Sequence, residues 1–451
     1  MARKSIHGEW SSRWIFILAA TGSAVGLGNI WKFPYMAGEN GGGAFVLIYL
    51  VCIALLGIPV MMAEVLIGRR GRQSPVNTMI TLAKEEGANG HWVWLGWSGV
   101  VAGFLILSYY SVIAGWTLAY ILDSINGTFT GLDSDAVAKV FDDLTASPGD
   151  LIFWHSLFML LTMIVVARGV QEGLEKAIRF LMPALFILLV IMVGYALSTD
   201  AFGKGFSFMF TPDFSKISTE GVLKAMGQAF FTLSLGMGAI MIYGSYMPHD
   251  ASITRTSITV ALADTGVALL AGIAIFPIVF ANGLEPAAGP GLVFVTLPIA
   301  FGHMPGGEFF GTVFFVLLAF AAWSSSISLI EPFVAWLVEN KGMTRNHASI
   351  LSGIVTWFIG LGTVFSFNYW KEIKVFGRTF FENLDFLTSN IMLPLGGLLI
   401  GVFAAWIIKQ QSSMEELGMG KGPAYQIWSI LVRYVTPVGV GLIFLKAIGV
   451  I

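Results

Sequence analysis

The sequence predicts an all-α polytopic membrane protein with about eleven transmembrane helices, arranged as a 5+5 inverted repeat in which helices 1 and 6 are broken. Of its 451 residues, 56% are hydrophobic and 12% are charged, whereas soluble domains carry about 25% charged residues. The mean hydropathy is +0.79. Many apolar stretches are long enough to cross a bilayer at about 1.5 Å per residue. Two of them are interrupted by glycine and serine, at residues 22–29 and near residue 234.

Eleven apolar stretches are the predicted spans, taken in order along the chain. They cover residues 14–37, 42–68, 93–122, 151–167, 177–198, 222–247, 256–281, 309–339, 348–367, 381–408 and 425–448. Segment 285–306 is rich in Gly and Pro, which makes it too broken to span. We expect this segment to fold as a hairpin lid in the loop after the seventh span.

The distribution of lysine and arginine predicts that the N-terminus, residues 1–13, is cytoplasmic, and we expect the protein in the plasma (cell inner) membrane. In that orientation the inner segments hold fifteen lysines and arginines and the outer segments hold eight. Cytoplasmic loops carry the excess of positive charge in membrane proteins. The linker 199–221 is then extracellular and the linker 409–424 is cytoplasmic. The last span, within 425–451, ends outside.

The inverted repeat follows from the spacing of the two interrupted spans, which are the first and the sixth. Five spans therefore separate the starts of two equivalent halves, residues 14–198 and 222–408. Because each half holds an odd number of spans, the halves must cross the membrane in opposite directions. Two interrupted spans in corresponding positions of two halves are the sequence signal of a secondary transporter.

The interruption in the first span reads Gly-Ser-Ala-Val-Gly-Leu-Gly-Asn over residues 22–29. Unsatisfied backbone groups in hydrocarbon cost several kcal/mol each, so a broken helix survives only where it lines a cavity or binds something. Freed carbonyl groups can coordinate a cation, and the N-terminus of a half-helix can hold a carboxylate. The sixth span carries Ser-Leu-Gly-Met-Gly at residues 234–238, so it has the same potential.

Polar side chains inside two other spans also require an explanation. Asp264 lies in an apolar run, where a carboxylate costs about 3 kcal/mol or more. It is either a structural carboxylate with its hydrogen bonds satisfied or part of an ion site. Residues 324–326 are three consecutive serines in the eighth span. Serines in such helices often bond back to their own backbone, which is the alternative to ligand binding.

Three motifs now identify a resemblance that covers the whole chain in order. They are AATGSAVGLGNIWKFPYMAGENGGGAF at residues 19–45, FFTLSLGMGAI at residues 230–240 and FAAWSSSISLIEP at residues 320–332. The chain resembles the neurotransmitter:sodium symporter family. Within that family it is most similar to the chloride-independent bacterial members with eleven spans, which carry many hydrophobic amino acids.

The resemblance implies two sodium ions. The first site matches Ala24, Asn29, Thr232 and Asp264, with the carboxylate of the substrate as a further ligand. The second matches backbone oxygens of Gly22, Val25 and Ala321 and the hydroxyls of Ser324 and Ser325. All these positions can supply the hard oxygen ligands that Na⁺ prefers. Chloride-dependent relatives have Asn near Asp264, so the carboxylate here implies that chloride is not needed.

The same resemblance implies a site for an α-amino acid. Backbone N–H groups near Leu27 and Gly28, with the Tyr110 hydroxyl, would face its carboxylate. Carbonyls of Ser23, Phe231 and Thr232 and the Ser234 hydroxyl would take its ammonium. The side-chain pocket would be lined by Ile106, Phe231, Met237 and Leu329, with Ala24 and Ser325 beside the substrate. Amine transporters carry Asp where Gly26 stands, so the ligand should bring its own carboxylate. Met is adaptable, which favours both aliphatic and aromatic side chains.

Gates are the last feature that the resemblance implies. Tyr110 and Phe231 would close over the substrate, and Lys32 and Asp385 match the outer ionic pair. Lys lacks the bidentate geometry of the usual Arg, which predicts a looser pair. The inner gate matches Trp10, Ser245, Tyr246 and Glu339, with His7 where Arg is expected and Arg3 or Lys4 as possible substitutes. Gly173 and Pro183 match a helix-unwinding pattern in the fifth span.

The sequence thus predicts a sodium-coupled symporter that imports hydrophobic L-amino acids by alternating access. Its partners are the amino acid, two sodium ions and the lipid bilayer, and it is not an enzyme. An enzyme would need titratable groups gathered at one depth, and a channel would need a repeated filter element; the sequence suggests neither. A non-transporting sensor with the same fold stays open as an alternative. The net charge of −2 gives no indication of nucleic-acid binding.

Overall fold

The structure is a computed structural model that describes residues 5–286, 291–447 and 450. Nine helices in this part are long and apolar enough to cross a membrane, and one bent helix pair gives a tenth. Two half-helices on either side of residue 235 complete an eleventh span. The predicted all-α membrane fold is therefore confirmed, and the spans agree with the predicted stretches to within a few residues at most ends.

The eleven spans are numbered here in chain order, and spans 1 and 6 each consist of two halves. They are Arg13–Ala24 with Gly28–Glu39, Gly43–Gly71, Gly90–Ile125, Pro148–Ala167, Val170–Leu197, Thr219–Thr232 with Ala239–Ser245, Ile253–Ala281, Gly307–Lys341, Arg345–Ser366, Phe380–Ile407 and Pro423–Lys446. Span 5 begins seven residues before the predicted start because the turn Val170–Glu175 is a π-helix.

Outside the predicted lid segment, four further helices lie between the spans in the described part of the chain, and the sequence analysis did not predict them. They are Pro75–Glu85, Ser134–Ala146, Phe202–Phe210 and Gln410–Leu417. In the predicted lid segment 285–306, residues 287–290 lie outside the described residues. The rest contains a π-turn Leu292–Thr296 and a helix Leu297–His303, too short to span. Whether this segment acts as a lid stays a prediction.

Span 1 breaks because its backbone becomes extended at Val25, with φ −69° and ψ 111°. The two halves, Arg13–Ala24 and Gly28–Glu39, meet at a bend of 52°. Asn29 stabilises the break, since its side-chain oxygen accepts a hydrogen bond from the freed Gly26 N–H at 3.0 Å. The helix therefore restarts with one of its orphan donors satisfied by a residue of its own first turn.

Span 6 breaks at three residues with left-handed backbone conformations, Ser234, Gly236 and Gly238, whose φ angles are +54°, +81° and +75°. Such angles end an α-helix, and glycine adopts them without steric cost. The fully buried Glu64 of span 2 accepts a hydrogen bond from Gly236 N–H at 3.1 Å. Its carboxylate lies at the start of the half-helix Ala239–Ser245, where the helix dipole favours negative charge.

Two groups of spans pack closely, and span 5 contacts members of both. Span 3 packs along span 8, and spans 4 and 9 pack against span 3 and against each other. Span 2 packs on both halves of span 6, and span 1 packs on span 7. Glycine permits a close approach of spans 3 and 8, since a Cβ at Gly103 would lie 2.7 Å from the Leu329 carbonyl oxygen. The two breaks meet between these groups.

Candidate functional site

A small cavity lies where the breaks of spans 1 and 6 meet spans 3 and 8. Its lining residues are Ser23, Ala24, Gly26, Leu27, Gly28, Ile106, Tyr110, Phe231, Ser234, Met237, Ser325 and Leu329. Of the residues predicted to bind substrate, only Thr232 does not line it. Thr232 instead contacts the polar cluster beside the cavity, described below. Residues far apart in sequence are thus brought together as the motifs predict.

The polar end of this cavity is formed largely by main-chain groups of the first break. Tyr110 accepts a hydrogen bond from Leu27 N–H at 3.4 Å. The Ser23 carbonyl oxygen accepts from the Ser234 hydroxyl at 2.9 Å and from the Ser325 hydroxyl at 3.2 Å. The cavity therefore presents a donor region near Leu27 and an acceptor region near Ser23, which is the polarity that an α-amino acid requires.

The predicted first sodium group forms one buried cluster next to the cavity. Asn29 donates from its amide nitrogen to Asp264 Oδ1 at 2.7 Å and to Thr232 Oγ1 at 3.0 Å. Thr232 donates to Asp264 Oδ2 at 2.9 Å. Asp264 is completely buried, and no cationic side chain pairs with it in the described part of the chain. A buried carboxylate without a cation is costly. The oxygens of Asp264 and Thr232 are hard ligands of the kind that a monovalent ion binds, whereas Asn29 presents its amide nitrogen to them.

The predicted second sodium group joins span 1 to span 8. The Ser325 hydroxyl donates to the Val25 carbonyl oxygen at 3.1 Å. The Ser324 hydroxyl donates to the Ala321 carbonyl oxygen of its own helix at 3.0 Å. Such a bond is also what a purely structural serine would make. A Cβ at Gly22 would lie 3.4 Å from Ser324 Cβ, so spans 1 and 8 come close together at this point. The five residues of the predicted second sodium group therefore lie next to one another, and the oxygens that they offer are carbonyl and hydroxyl oxygens.

At the predicted outer gate, Lys32 and Asp385 do not form a direct ion pair. Lys32 and Asp385 line one cavity outside the substrate cavity, but no nitrogen–oxygen distance between them falls within 4.0 Å. Lys32 Nζ instead lies 4.2 Å from the centre of the Phe231 ring, and Asp385 accepts from the Ser389 hydroxyl at 2.9 Å. The Lys32 ammonium group makes a cation–π contact with the Phe231 ring. Unlike the guanidinium group of arginine, it cannot form two parallel hydrogen bonds with the Asp385 carboxylate.

Tyr110 and Phe231 line both this outer cavity and the substrate cavity, so their side chains form the wall between the two. That position agrees with the closing role that the sequence analysis gives them.

The predicted inner-gate residues cluster at the other end of the breaks. Trp10 donates from its indole nitrogen to the Tyr243 carbonyl at 3.2 Å and from its backbone N–H to the Tyr246 carbonyl at 2.9 Å. His7 stands where arginine is expected, and its Nε2 lies 3.0 Å from Oε1 of Glu339, another predicted gate residue. The Ser245 hydroxyl bonds within its own helix, to the Ile242 carbonyl. Arg3 and Lys4 lie outside the described residues.

Three charged residues near the breaks were missed by the sequence analysis. Tyr246 donates to Glu331 at 2.7 Å, and Arg345 forms a salt bridge to the same fully buried carboxylate. Glu64 is the third, beside Gly236 as described above. Both glutamates stand in apolar runs, as Asp264 does. Because a carboxylate in an apolar run is energetically costly, both glutamates could have been identified from the sequence as residues with a specific role.

The two predicted helix-unwinding residues lie in span 5. Gly173 belongs to the π-turn Val170–Glu175, and the Val165 carbonyl oxygen approaches it so closely that no side chain fits. Pro183 lies inside the span. The preceding residue, Met182, contacts the second sodium group, because a Cβ at Gly22 would lie 3.1 Å from its sulfur. Span 5 therefore borders that group, and unwinding remains a prediction.

Comparison with known proteins relates the whole chain to one family. The model of the sodium:neurotransmitter symporter family matches residues 7–138 and 134–451. An uncharacterised sodium-dependent transporter of Bacillus subtilis, YhdH, is 38% identical over 446 residues, which are 98% of each chain. A similar transporter of Haemophilus influenzae is 36% identical over 445 residues, or 97% of each chain.

A solved structure agrees with these matches. The crystal structure of MhsT in complex with L-phenylalanine superimposes with a TM-score of 0.90 at 42% sequence identity. The match covers 98% of this chain and 99% of MhsT. The members of the matched family are sodium symporters and not enzymes. This chain therefore belongs to the sodium:neurotransmitter symporter family, as a multi-pass sodium-dependent transporter.

Proposed function

We propose that this protein is a chloride-independent symporter that couples two sodium ions to the import of hydrophobic L-amino acids, both aliphatic and aromatic. The observation that carries the proposal is the cavity between the breaks of spans 1 and 6. It has an amino-acid-like polarity at one end, apolar side chains at the other and the Asn29–Thr232–Asp264 cluster beside it.

The first sodium ion would be held by Ala24, Asn29, Thr232 and Asp264, next to the donor region at Leu27 and Gly28. The carboxylate of a bound amino acid would then lie beside the ion and complete its oxygen ligands. Because each ligand improves the site of the other, sodium and substrate bind cooperatively. The negative charge of Asp264 would balance the ion without chloride.

The apolar end of the cavity is formed by Ile106, Phe231, Met237 and Leu329, and no charged side chain lines the cavity. A charged substrate side chain would lose its hydration there without gaining a partner. The 42% identical MhsT was solved with L-phenylalanine, which supports an aromatic substrate here as well. The thioether of Met237 can adapt to substrates of different size.

The second sodium ion would lie between spans 1 and 8, where Ser325 reaches the Val25 carbonyl. Spans 1 and 8 belong to the two different packing groups. An ion at this point would hold the groups together, and its release would free the inner half of span 1. The outer gate of Tyr110 and Phe231 and the inner gate around Trp10 then open in turn, which is alternating access.

Uptake should require sodium and be unaffected by chloride. The reason is that the cluster around Asp264 supplies both oxygen ligands and a negative charge. We would measure uptake of radiolabelled leucine into liposomes that contain the purified protein, with a gradient of sodium or of choline, and with chloride or gluconate as the anion. We expect sodium-dependent uptake at the same rate in both anions. Equal uptake in choline would refute the coupling, and a strict need for chloride would refute the role of Asp264.

The variant Met237→Phe should favour small aliphatic substrates over tryptophan. A rigid ring occupies space that the methionine side chain can vacate, and pocket changes of this size alter selectivity by about tenfold or more. Competition of unlabelled tryptophan and leucine against one labelled substrate measures the ratio.

Met226→Phe, in the same span but outside the cavity lining, is the matched control and should leave the ratio unchanged. Strong competition by glutamate or lysine in the unsubstituted protein, or an unchanged ratio in Met237→Phe, would show that the pocket is wrongly assigned.

A further inference from the structure

A second, separate groove lies at the starts of spans 1 and 7, on the surface of the helix bundle. It is lined by Arg13, Trp14, Ile17, Arg255, Thr256, Ile258 and Thr259. None of these residues lines the substrate cavity or belongs to either sodium group. Arg13 is the first residue of span 1, and Arg255 lies in the first turn of span 7. Two guanidinium groups therefore flank one groove at the level where both helices enter the membrane.

Neither guanidinium group has a carboxylate partner among the described residues. Arg13 lies over the Trp14 ring, 5.1 Å from its centre. Neither Arg13 nor Arg255 forms a salt bridge to any residue that the structure describes. By contrast, several other arginines near the span ends are paired with glutamates, as in Arg69–Glu416, Arg179–Glu175 and Arg345–Glu331.

The helix starts add to this positive potential. No acidic residue occupies the first turn of span 1 or of span 7, although the helix dipole favours negative charge there. The positive ends of two helices and two arginine side chains thus coincide without a compensating anion from the described residues. Guanidinium groups bind phosphate through paired hydrogen bonds, so a phosphate group fits the charge at this end of the groove.

The surface that continues from the arginines is apolar. Ile258 and Leu262 follow Arg255 by three and seven positions, so they lie on the same face of span 7. Their exposed fractions are 38% and 64%, and that of Trp14 is 62%. A soluble anion gains nothing from such a surface. A phospholipid has a phosphate and acyl chains joined in one molecule, and it matches both parts of the site.

We propose that this groove binds an anionic phospholipid, whose phosphate lies between Arg13 and Arg255 and whose acyl chain runs along Ile258 and Leu262. The lipid joins the start of span 1 to the start of span 7. It therefore stabilises the described arrangement of the inner half of span 1. This site and its test do not depend on the identity of the transported substrate.

The test uses the full chain, purified in detergent and stripped of lipid. Dioleoyl phosphatidylglycerol, dioleoyl phosphatidylcholine and inorganic phosphate are titrated separately. The midpoint of thermal unfolding is recorded, and native mass spectrometry counts the lipids retained. We expect phosphatidylglycerol alone to raise the midpoint. In the double variant Arg13→Gln/Arg255→Gln its apparent affinity should fall about fivefold for each arginine.

The matched control is Lys84→Gln/Lys341→Gln, which removes two positive charges outside the groove. Lys341 lies over a tryptophan ring as Arg13 does, 5.8 Å from the centre of Trp336. The control should keep the wild-type affinity for phosphatidylglycerol. If both double variants lose the same affinity for phosphatidylglycerol, the lipid is attracted by positive charge in general, and the proposal is overturned. A full effect of inorganic phosphate would overturn it in favour of a soluble anion. If the arginine double variant does not fold, Arg255→Gln carries the same test.

Discussion

Replacing Asp264 with asparagine is expected to weaken sodium-dependent amino-acid binding by about 100-fold or more in chloride-free buffer. The substitution keeps the shape of the side chain but removes the only charge in the Asn29–Thr232–Asp264 cluster. A sodium ion in that cluster would then be a buried and unbalanced charge. Removing one partner from a buried ion pair costs about 3–5 kcal/mol. The proposed chloride independence depends on this carboxylate.

The measurement is scintillation proximity binding of labelled leucine over a sodium titration, with gluconate or chloride as the anion. Chloride should restore part of the binding in Asp264→Asn because it can supply the missing negative charge. Asp123→Asn, at the far end of span 3, is a control that should behave like the unchanged protein. Normal binding of Asp264→Asn without chloride would mean that the carboxylate is only structural.

Replacing Glu64 with alanine is expected to have the second largest effect, on both stability and binding. The variant leaves the buried Gly236 N–H without its acceptor, which costs about 1–3 kcal/mol. It also removes the negative charge from the start of the half-helix Ala239–Ser245, which contributes up to about 2 kcal/mol. Met237 lies between Gly236 and Gly238, so a loosened break displaces a residue that lines the substrate cavity.

Two readouts separate a positioning role from a merely structural one. Glu64→Ala should lower the midpoint of thermal unfolding and weaken leucine binding at least tenfold. Glu64→Gln keeps the volume and one acceptor, so its midpoint should stay closer to that of the unchanged protein while its affinity still falls. Glu415→Gln, on the short helix Gln410–Leu417, serves as the control. A Glu64→Ala variant with native affinity would contradict the positioning role.

Much of this architecture could be predicted because hydropathy and local sequence determine it. The spans follow from apolar length, and the breaks at Val25 and Ser234 follow from glycine-rich sequence that cannot stay helical in lipid. The cavity lining could be predicted because whole motifs match a known family. Asp264 could be identified because a carboxylate in an apolar run is costly whatever surrounds it.

Other features depend on which side chains meet across the fold, and one sequence does not contain that information. Glu64 and Glu331 are carboxylates in apolar runs, as Asp264 is, and so they carry the same energetic cost. Their partners, Gly236 and Arg345, are identified only by the three-dimensional structure. Lys32 contacts the face of the Phe231 ring and not Asp385. Which of the two partners it contacts depends on differences of a few Å in position, which the sequence does not specify. The four short helices between spans were missed because their 8 to 13 residues are too few to give a membrane signal.

The breaks have a consequence for how such a protein can evolve. At the break of span 1 the hydrogen-bonding groups that line the site are largely main-chain atoms, including the Leu27 N–H and the Ser23 and Val25 carbonyls. A point mutation changes a side chain but leaves these atoms in every descendant. Cavity-lining side chains such as Met237 and Leu329 can therefore diversify towards new cargo while the polar contacts persist. Conventional mutagenesis can remove the side-chain partners Tyr110, Ser234 and Ser325, but it does not remove the main-chain groups. Replacing single amides by esters through protein semisynthesis would be the direct way to measure the contribution of those groups.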